Sequence, residues 1–273
     1  MASRLRALRV VHPFPSILNT ALVVAVAVVA GAQPTTTIVL GVGMLGIQFC
    51  IGAVNDLSDQ ALDARSKPWK PIPSGLISVR TTRWIAALSA AAALIAAASQ
   101  GVVVLVLSGA MLGCGLLYDV RLKPTRWAWA CFSVAFALLP VYAWYGAASV
   151  VPPLAKFLLP LAALAGPALQ LSNGLVDLER DEQGGIKTLA TRLGRQRSLI
   201  VIAVLLAVIH GLAWLTLAVL VGSVVPIVAA ASALAVIGYA LQTRRSVTVR
   251  EAGWSAQAGA IALLAIGWLS AVA

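Results

Sequence analysis

The chain alternates long apolar stretches with short polar islands. Nine apolar stretches stand out, at roughly 16–32, 36–54, 82–99, 102–118, 127–147, 154–173, 198–221, 224–241 and 253–272. Each approaches the ~20 residues that a helix needs to cross a bilayer. None shows the period-two alternation, over about ten residues, of an outer-membrane barrel strand. The pattern predicts an all-α, polytopic membrane protein with nine transmembrane helices. The polar islands are unequal. Every second connection is short and bland, whereas 55–81 and 174–197 each exceed twenty residues and hold most of the charge. Connections of that length are usually functional.

Composition strengthens this picture. Of 273 residues, 60% are hydrophobic and 11% charged, and the mean hydropathy is +0.94. Soluble domains carry about 25% charged residues, so an ordinary soluble domain is excluded. A net charge of +11 in a soluble chain would suggest nucleic-acid binding. Here nineteen of the twenty basic residues fall on the N-terminal tail and the even-numbered connections, leaving only Lys156 on the other side. By the positive-inside rule the N-terminus and those connections face the cytoplasm. The charge then orients helices and meets anionic lipid, and no nucleic acid is needed to explain it. Arg4, Arg6, Arg9 and the following apolar run share features with a cleavable signal peptide. The run is longer than a signal core and the charge alternation continues through it, so an uncleaved first helix is expected. Cys50, Cys114 and Cys131 lie within or at the start of apolar stretches, which suits packing rather than a disulfide framework.

All nine acidic residues also fall on the basic-rich face. Two groups of them share a pattern. Asn55, Asp59 and Asp63 read N-x-x-x-D-x-x-x-D, and so do Asn173, Asp177 and Asp181, each pair 118 residues apart. Both groups follow the end of an even-numbered stretch, four stretches apart. That offset preserves orientation, so one transmembrane domain over 1–273 is expected to hold a parallel internal repeat. Its halves would run about 16–147 and 154–272, and the two polar edges would face each other. Spacing of i, i+4, i+8 places each triplet on one face of a helix continued past the membrane. Two rows of carboxylates repel unless a cation lies between them, and hard oxygen ligands suit Mg²⁺ with substrate phosphate. Neighbouring Arg and Lys then make sense as clamps on a metal-bound diphosphate.

These residues resemble the UbiA superfamily of intramembrane prenyltransferases. Asn55-Asp56-x-x-Asp59-x-x-x-Asp63 matches the superfamily's NDxxDxxxD motif, and Asp177 to Asp181 its DxxxD motif. Lys70-Pro71-Ile72-Pro73-Ser74-Gly75 is similar to its RPIPSG segment, with Lys70 in the Arg position. Gly185–Leu189, Arg192-Leu193-Gly194 and the Tyr118–Lys123 run are also similar, so the likeness spans the chain. In a Tyr-x-x-x-Lys register, however, the fourth position is Leu122, so Arg121 or Lys123 must take the basic role.

The resemblance implies helices around a central cavity, a prenyl tunnel open to lipid, and Mg²⁺ with diphosphate at the cytoplasmic end. It implies Asp59, Asp63, Asp177 and Asp181 as catalytic metal ligands, with Asp56 either ligating or structural. Asn55, Asn173, Lys67, Tyr118, Arg121, Lys123 and Lys187 become diphosphate contacts. The activity implied is a Mg²⁺-dependent prenyltransferase that ionises a prenyl diphosphate and alkylates an aromatic or lipid acceptor, in the plasma (inner) membrane with its site facing the cytoplasm. A terpene cyclase or phosphoribosyl transferase of the same superfamily would use the same aspartates. A transporter would place ionisable groups near the bilayer midplane, and here they gather at one mouth. His12 is expected to precede the first helix at the interface, and His210 to make a packing or interhelical contact.

Overall fold

The computed structural model describes residues 6–153, 155–218 and 221–272. Arg4, position 154 and positions 219–220 lie outside these, as does the side chain of Lys156.

A 3₁₀ turn, Leu8–Val11, leads into α1 (Pro13–Val29). Then follow α2 (Pro34–Ser66), α3 (Val79–Ser99), α4 (Val102–Leu117), α5 (Ala128–Ala148), α6 (Ala155–Val176), α7 (Leu178–Gln183), α8 (Leu189–Ala213), α9 (Val225–Gln242) and α10 (Val247–Val272). No strand occurs among the described residues. Helix starts follow local chemistry. Proline opens α1 and α2, where a missing N–H costs nothing. Ser78 Oγ caps α3 by accepting from Thr81 N at 3.0 Å. Thr188 and Thr191 form a reciprocal capping box at the start of α8.

Each of the nine apolar stretches becomes a helix, and among the described residues eight helices are long and apolar enough to cross a membrane by themselves. The exception is α1, whose 17 residues are bounded by His12 and by Gly31 at φ 75°. Local irregularities were absent from the pattern. The end of α4 widens into a π turn, Tyr118–Leu122, a second π turn at Trp214–Ala218 follows α8, and α8 is broken at Gly194, where φ is 74°.

The helices divide into two compact units: Met1–Leu122 with Leu138–Val151, and Lys123–Ala137 with Pro152–Ala273. In the first, α2 is the spine, packed by α1, α3 and α4. Helices α2 and α3 approach closely at Gly46, where a Cβ would stand 2.7 Å from the Ser89 carbonyl oxygen. Such backbone contact through small residues is how membrane helices gain packing energy without a hydrophobic driving force. The buried Tyr142 hydroxyl donates to Leu40 O at 2.9 Å.

In the second unit α6, α8, α9 and α10 share an apolar core that includes Leu161, Ala165, Ile209, Val228 and Trp268. Gly238 of α9 and Gly253 of α10 meet face to face, each Cβ position falling within 3 Å of the other's carbonyl oxygen. Pro167 inside α6 has no N–H for the carbonyl of Ala163. Ser133 Oγ of α5 donates to that carbonyl at 2.8 Å, replacing the backbone bond that lipid could not supply.

Candidate functional site

Helix α2 has 33 residues, which at 1.5 Å per residue is roughly 50 Å. The hydrocarbon core is about 30 Å thick, so the segment with the first motif continues the helix beyond its apolar stretch. Asn55, Asp59 and Asp63 therefore occupy one continuous helix, as their spacing predicts.

The buried acids of that motif are Asp56 and Asp63, seven residues apart and on one side of α2. The ammonium of Lys70 bridges them, donating to Asp56 Oδ1 at 2.9 Å and Asp63 Oδ2 at 2.7 Å. The carboxylates are 3% and 4% exposed and the lysine 21%. Tight turns hold Lys70 in place: its N–H donates to Lys67 O, and its carbonyl accepts from Ser74 N. Burial opposes the lysine's charge, but the attraction of Asp56 and Asp63 outweighs it and raises the pKa above the usual lysine value.

Asp56 has a second neighbour. His12 adopts a left-handed backbone (φ 48°), and its Nε2 lies 3.3 Å from Asp56 Oδ1. The approach is possible because residue 52 is glycine, whose Cβ position would be 2.9 Å from the Val11 carbonyl carbon and 3.2 Å from His12 Cδ2. The histidine thus does more than precede α1. It fastens the N-terminal turn to the helix that carries the motif.

Asn55 Nδ2 donates to Asp119 Oδ1 at 2.7 Å, which ties the motif to the π turn. Asp119 is buried there, whereas Tyr118 is half-buried and Arg121 exposed on the same turn. π turns recur at functional positions. Lys67 ends α2, its N–H donating to Asp63 O at 2.7 Å. Lys123 is half-buried just beyond the π turn.

The second motif departs from the expected helical face. Helix α6 stops at Val176, Asp177 has non-helical angles (φ −103°, ψ 9°), and α7 begins at Leu178. Gly174 weakens the last turn of α6, and Asp favours helix ends over interiors. Asn173, Asp177 and Asp181 therefore do not share one unbroken helix. One α-type bond survives across the break, from Asp181 N to Asp177 O at 2.9 Å. Asn173 is exposed, Asp177 half-buried and Asp181 buried. Asp177 Oδ1 accepts from Arg180 Nη1 at 3.2 Å. Lys187 is exposed in the link to α8. Arg192 donates to Pro124 O through Nη2 at 2.7 Å and Nε at 3.2 Å.

Between the two acids of this motif, Glu179 takes both terminal nitrogens of Arg250, one of them at 2.9 Å. Burial works to raise the carboxyl's pKa, but the hydrogen bonds and charge of Arg250 lower it overall. Sequence reading counted Arg250 only as orienting charge. Nothing in the sequence marked it off from the neighbouring Arg244 and Arg245. Asp119 and the His12 contact carried no mark either.

The donor chemistry fits a hard cation. Asp56 and Asp63 already place two carboxylate oxygens around one positive charge, and Asp59 lies one turn before Asp63. Among the described residues no three His, Cys, Asp or Glu side chains are drawn into a metal cluster. Basic partners hold Asp56, Asp63 and Asp177 instead.

The sequence model of the UbiA prenyltransferase family matches residues 17–264. The chain belongs to that family. UbiA relatives include the digeranylgeranylglyceryl phosphate synthase of Methanothrix thermoacetophila, 31% identical over 165 residues, covering 60% of this chain and 61% of the relative. The 4-hydroxybenzoate octaprenyltransferase of Aliivibrio fischeri is 28% identical, covering 58% and 57%. The chain thus matches about three-fifths of the length of these curated relatives. A UbiA homologue from Archaeoglobus fulgidus bound to GPP and Mg²⁺ superposes with a TM-score of 0.70 at 19% identity, covering 98% of this chain and 99% of that one. At that identity the likeness establishes the fold. Eight apolar helices and UbiA membership make the protein an integral membrane protein.

Proposed function

We propose that this protein is a Mg²⁺-dependent prenyltransferase that transfers an isoprenoid chain from its diphosphate to a hydrophobic aromatic or lipid acceptor. The observation that carries the reading is the first motif's pair of buried carboxylates, Asp56 and Asp63, gathered around the Lys70 ammonium at the end of an apolar helix. The motif's repetition after 118 residues and the prenyltransferases among the relatives support it.

Asp59, Asp63, Asp177 and Asp181 would hold Mg²⁺, Asp63 exchanging its Lys70 contact for the metal and Asp56 staying with Lys70 and His12 in support. When bound, the metal supplies the positive charge that a departing diphosphate requires. Asn55, Asn173, Lys67, Tyr118, Arg121, Lys123 and Lys187 contact the diphosphate oxygens. The C1–O bond of the prenyl diphosphate breaks with its electron pair leaving on diphosphate. An acceptor carbon or oxygen then bonds to C1 and loses its proton. Apolar helix walls keep water from capturing the allylic cation. The basic-rich face lies in the cytoplasm, α1 completes nine spans of a plasma-membrane enzyme, and the two motifs belong to the halves of a parallel repeat.

Purified protein supplied with labelled geranylgeranyl diphosphate and either 4-hydroxybenzoate or a glycerophosphate lipid should release diphosphate and label an acceptor only with Mg²⁺. Asp59→Asn should abolish labelling. Unchanged Mg²⁺ dependence in that variant removes the metal assignment. A cyclic hydrocarbon formed without acceptor consumption replaces transfer by cyclisation.

A further inference from the structure

Arg250 carries a formal charge yet is 0% exposed. A buried guanidinium is tolerated only when its donors are matched. Here the two terminal nitrogens are matched, Nη1 donating to Glu179 Oε1 at 2.9 Å and to Arg245 O at 3.0 Å and Nη2 to Val176 O at 2.9 Å and to Glu179 Oε2, while the buried Nε has no partner among the described residues. The two outer partners bracket the backbone break at Asp177. Val176 ends α6, and Glu179 lies in α7 between Asp177 and Asp181.

That bracket matters because α7 is short and irregular backbone flanks it on both sides. The helix has six residues, follows non-helical Asp177, and is succeeded by Gly184 and Gly185, the latter at φ 67°. Leu178, 2% exposed, anchors it in the apolar cluster with Leu171, Leu175 and Ile202. One apolar anchor fixes a point but leaves rotation about it. A two-pronged Arg–carboxylate pair fixes direction as well. Further bonds hold the gripping end steady. Gln242 Nε2 donates to Arg250 O at 3.0 Å and Ser172 O at 3.3 Å. Arg195 donates to Glu179 Oε1 at 3.4 Å and to the carbonyls of Thr243 and Arg244 at 2.7 and 2.8 Å.

We propose that Arg250 is a positioning residue for the second aspartate motif: by holding Val176 and Glu179 together across the break, it sets the direction in which Asp177 and Asp181 are presented to the metal and diphosphate. The inference rests on the assignment of those aspartates under the proposed function.

The test compares full-length wild type, Arg250→Lys and Glu179→Gln. Arg250→Lys keeps the charge but not the fork. Glu179→Gln alters a half-exposed side chain and leaves the buried guanidinium in place, so it remains informative if the arginine variant does not fold. Three quantities are read: unliganded thermal stability, the thermal shift caused by Mg²⁺ plus inorganic diphosphate, and the half-saturating Mg²⁺ concentration for prenyl transfer. Loss of a group that orients metal ligands typically costs 10–100-fold in affinity. Both variants should raise half-saturating Mg²⁺ by about tenfold or more and shrink the ligand-induced shift, with the KM for acceptor unchanged. Lower unliganded stability with wild-type Mg²⁺ dependence in both variants overturns positioning and leaves only a structural brace. Wild-type turnover indifferent to Mg²⁺ overturns the proposed function and this inference together, so the two failures read differently.

Discussion

Replacing Lys70 with glutamine removes the one ammonium that the structure places between Asp56 and Asp63. The carboxylates are 3% and 4% exposed, so solvent cannot compensate them, whereas the lysine is 21% exposed. Removing one partner of a buried ion pair costs about 3–5 kcal/mol. Three features lower the figure here: the lysine tip is partly hydrated, glutamine can still donate one hydrogen bond, and His12 remains beside Asp56. A loss of about 2–3 kcal/mol follows from that range. For a chain of this size each kcal/mol moves the midpoint by roughly 2–4 °C, so detergent-solubilised Lys70→Gln should melt about 5–10 °C below wild type. In a double-mutant cycle, Asp56→Asn should be destabilising in wild type and nearly neutral or stabilising in Lys70→Gln. Mg²⁺ should also stabilise Lys70→Gln more than wild type, because the vacated oxygens can take another cation. A midpoint drop below about 2 °C, or an Asp56→Asn effect equal in both backgrounds, would refute the account of a buried, lysine-dependent carboxylate pair.

Three further outcomes are expected. The pKa of Glu179 is lowered in the folded protein, so its contribution is fully present above the ordinary carboxylate range and is lost as pH falls through the lowered value. The melting-temperature gap between wild type and Glu179→Gln should therefore be constant near neutrality and close in acid, as a pH series of melts would show. Gly46→Leu forces a side chain against the Ser89 carbonyl and Ala93, with an overpacking cost of about 1–3 kcal/mol, readable as a lower melting temperature and poorer recovery of monodisperse protein. Ser133→Ala orphans the Ala163 carbonyl beside Pro167 and should cost about 1 kcal/mol, whereas Ser133→Thr should retain most of the stability in the same assay.

Hydrophobic patterning located every long helix, because each apolar stretch must satisfy its backbone internally. What it lacked was information carried by tertiary contact. The period of Asn173, Asp177 and Asp181 suits a continuous helix, yet Gly174 and the Asp at 177 favour a break that the spacing does not reveal. Lys70 stood out only as a substitute for Arg in a short segment. Its role depends on a run of turns, 67–75, that folds it back onto α2. Arg250 carried the same formal charge as the nearby Arg244 and Arg245, and only burial separates it from them. The candidate acids were readable because their spacing is regular. Their partners were not, because no local rule links residue 179 to 250 or residue 12 to 56.

The break at Asp177 makes the two motifs mechanically unequal. The first is part of a rigid rod: Asp59 and Asp63 can be re-aimed only by bending or turning a 33-residue helix. The second is a short helix on a joint, six residues long, held across the break by the Asp181 N to Asp177 O bond and by the Arg250 fork. Identical sequence spacing therefore conceals one unbroken backbone and one jointed backbone. Rearrangement within the second motif should concentrate in residues 177–185, between the joint at Asp177 and the paired glycines that follow α7.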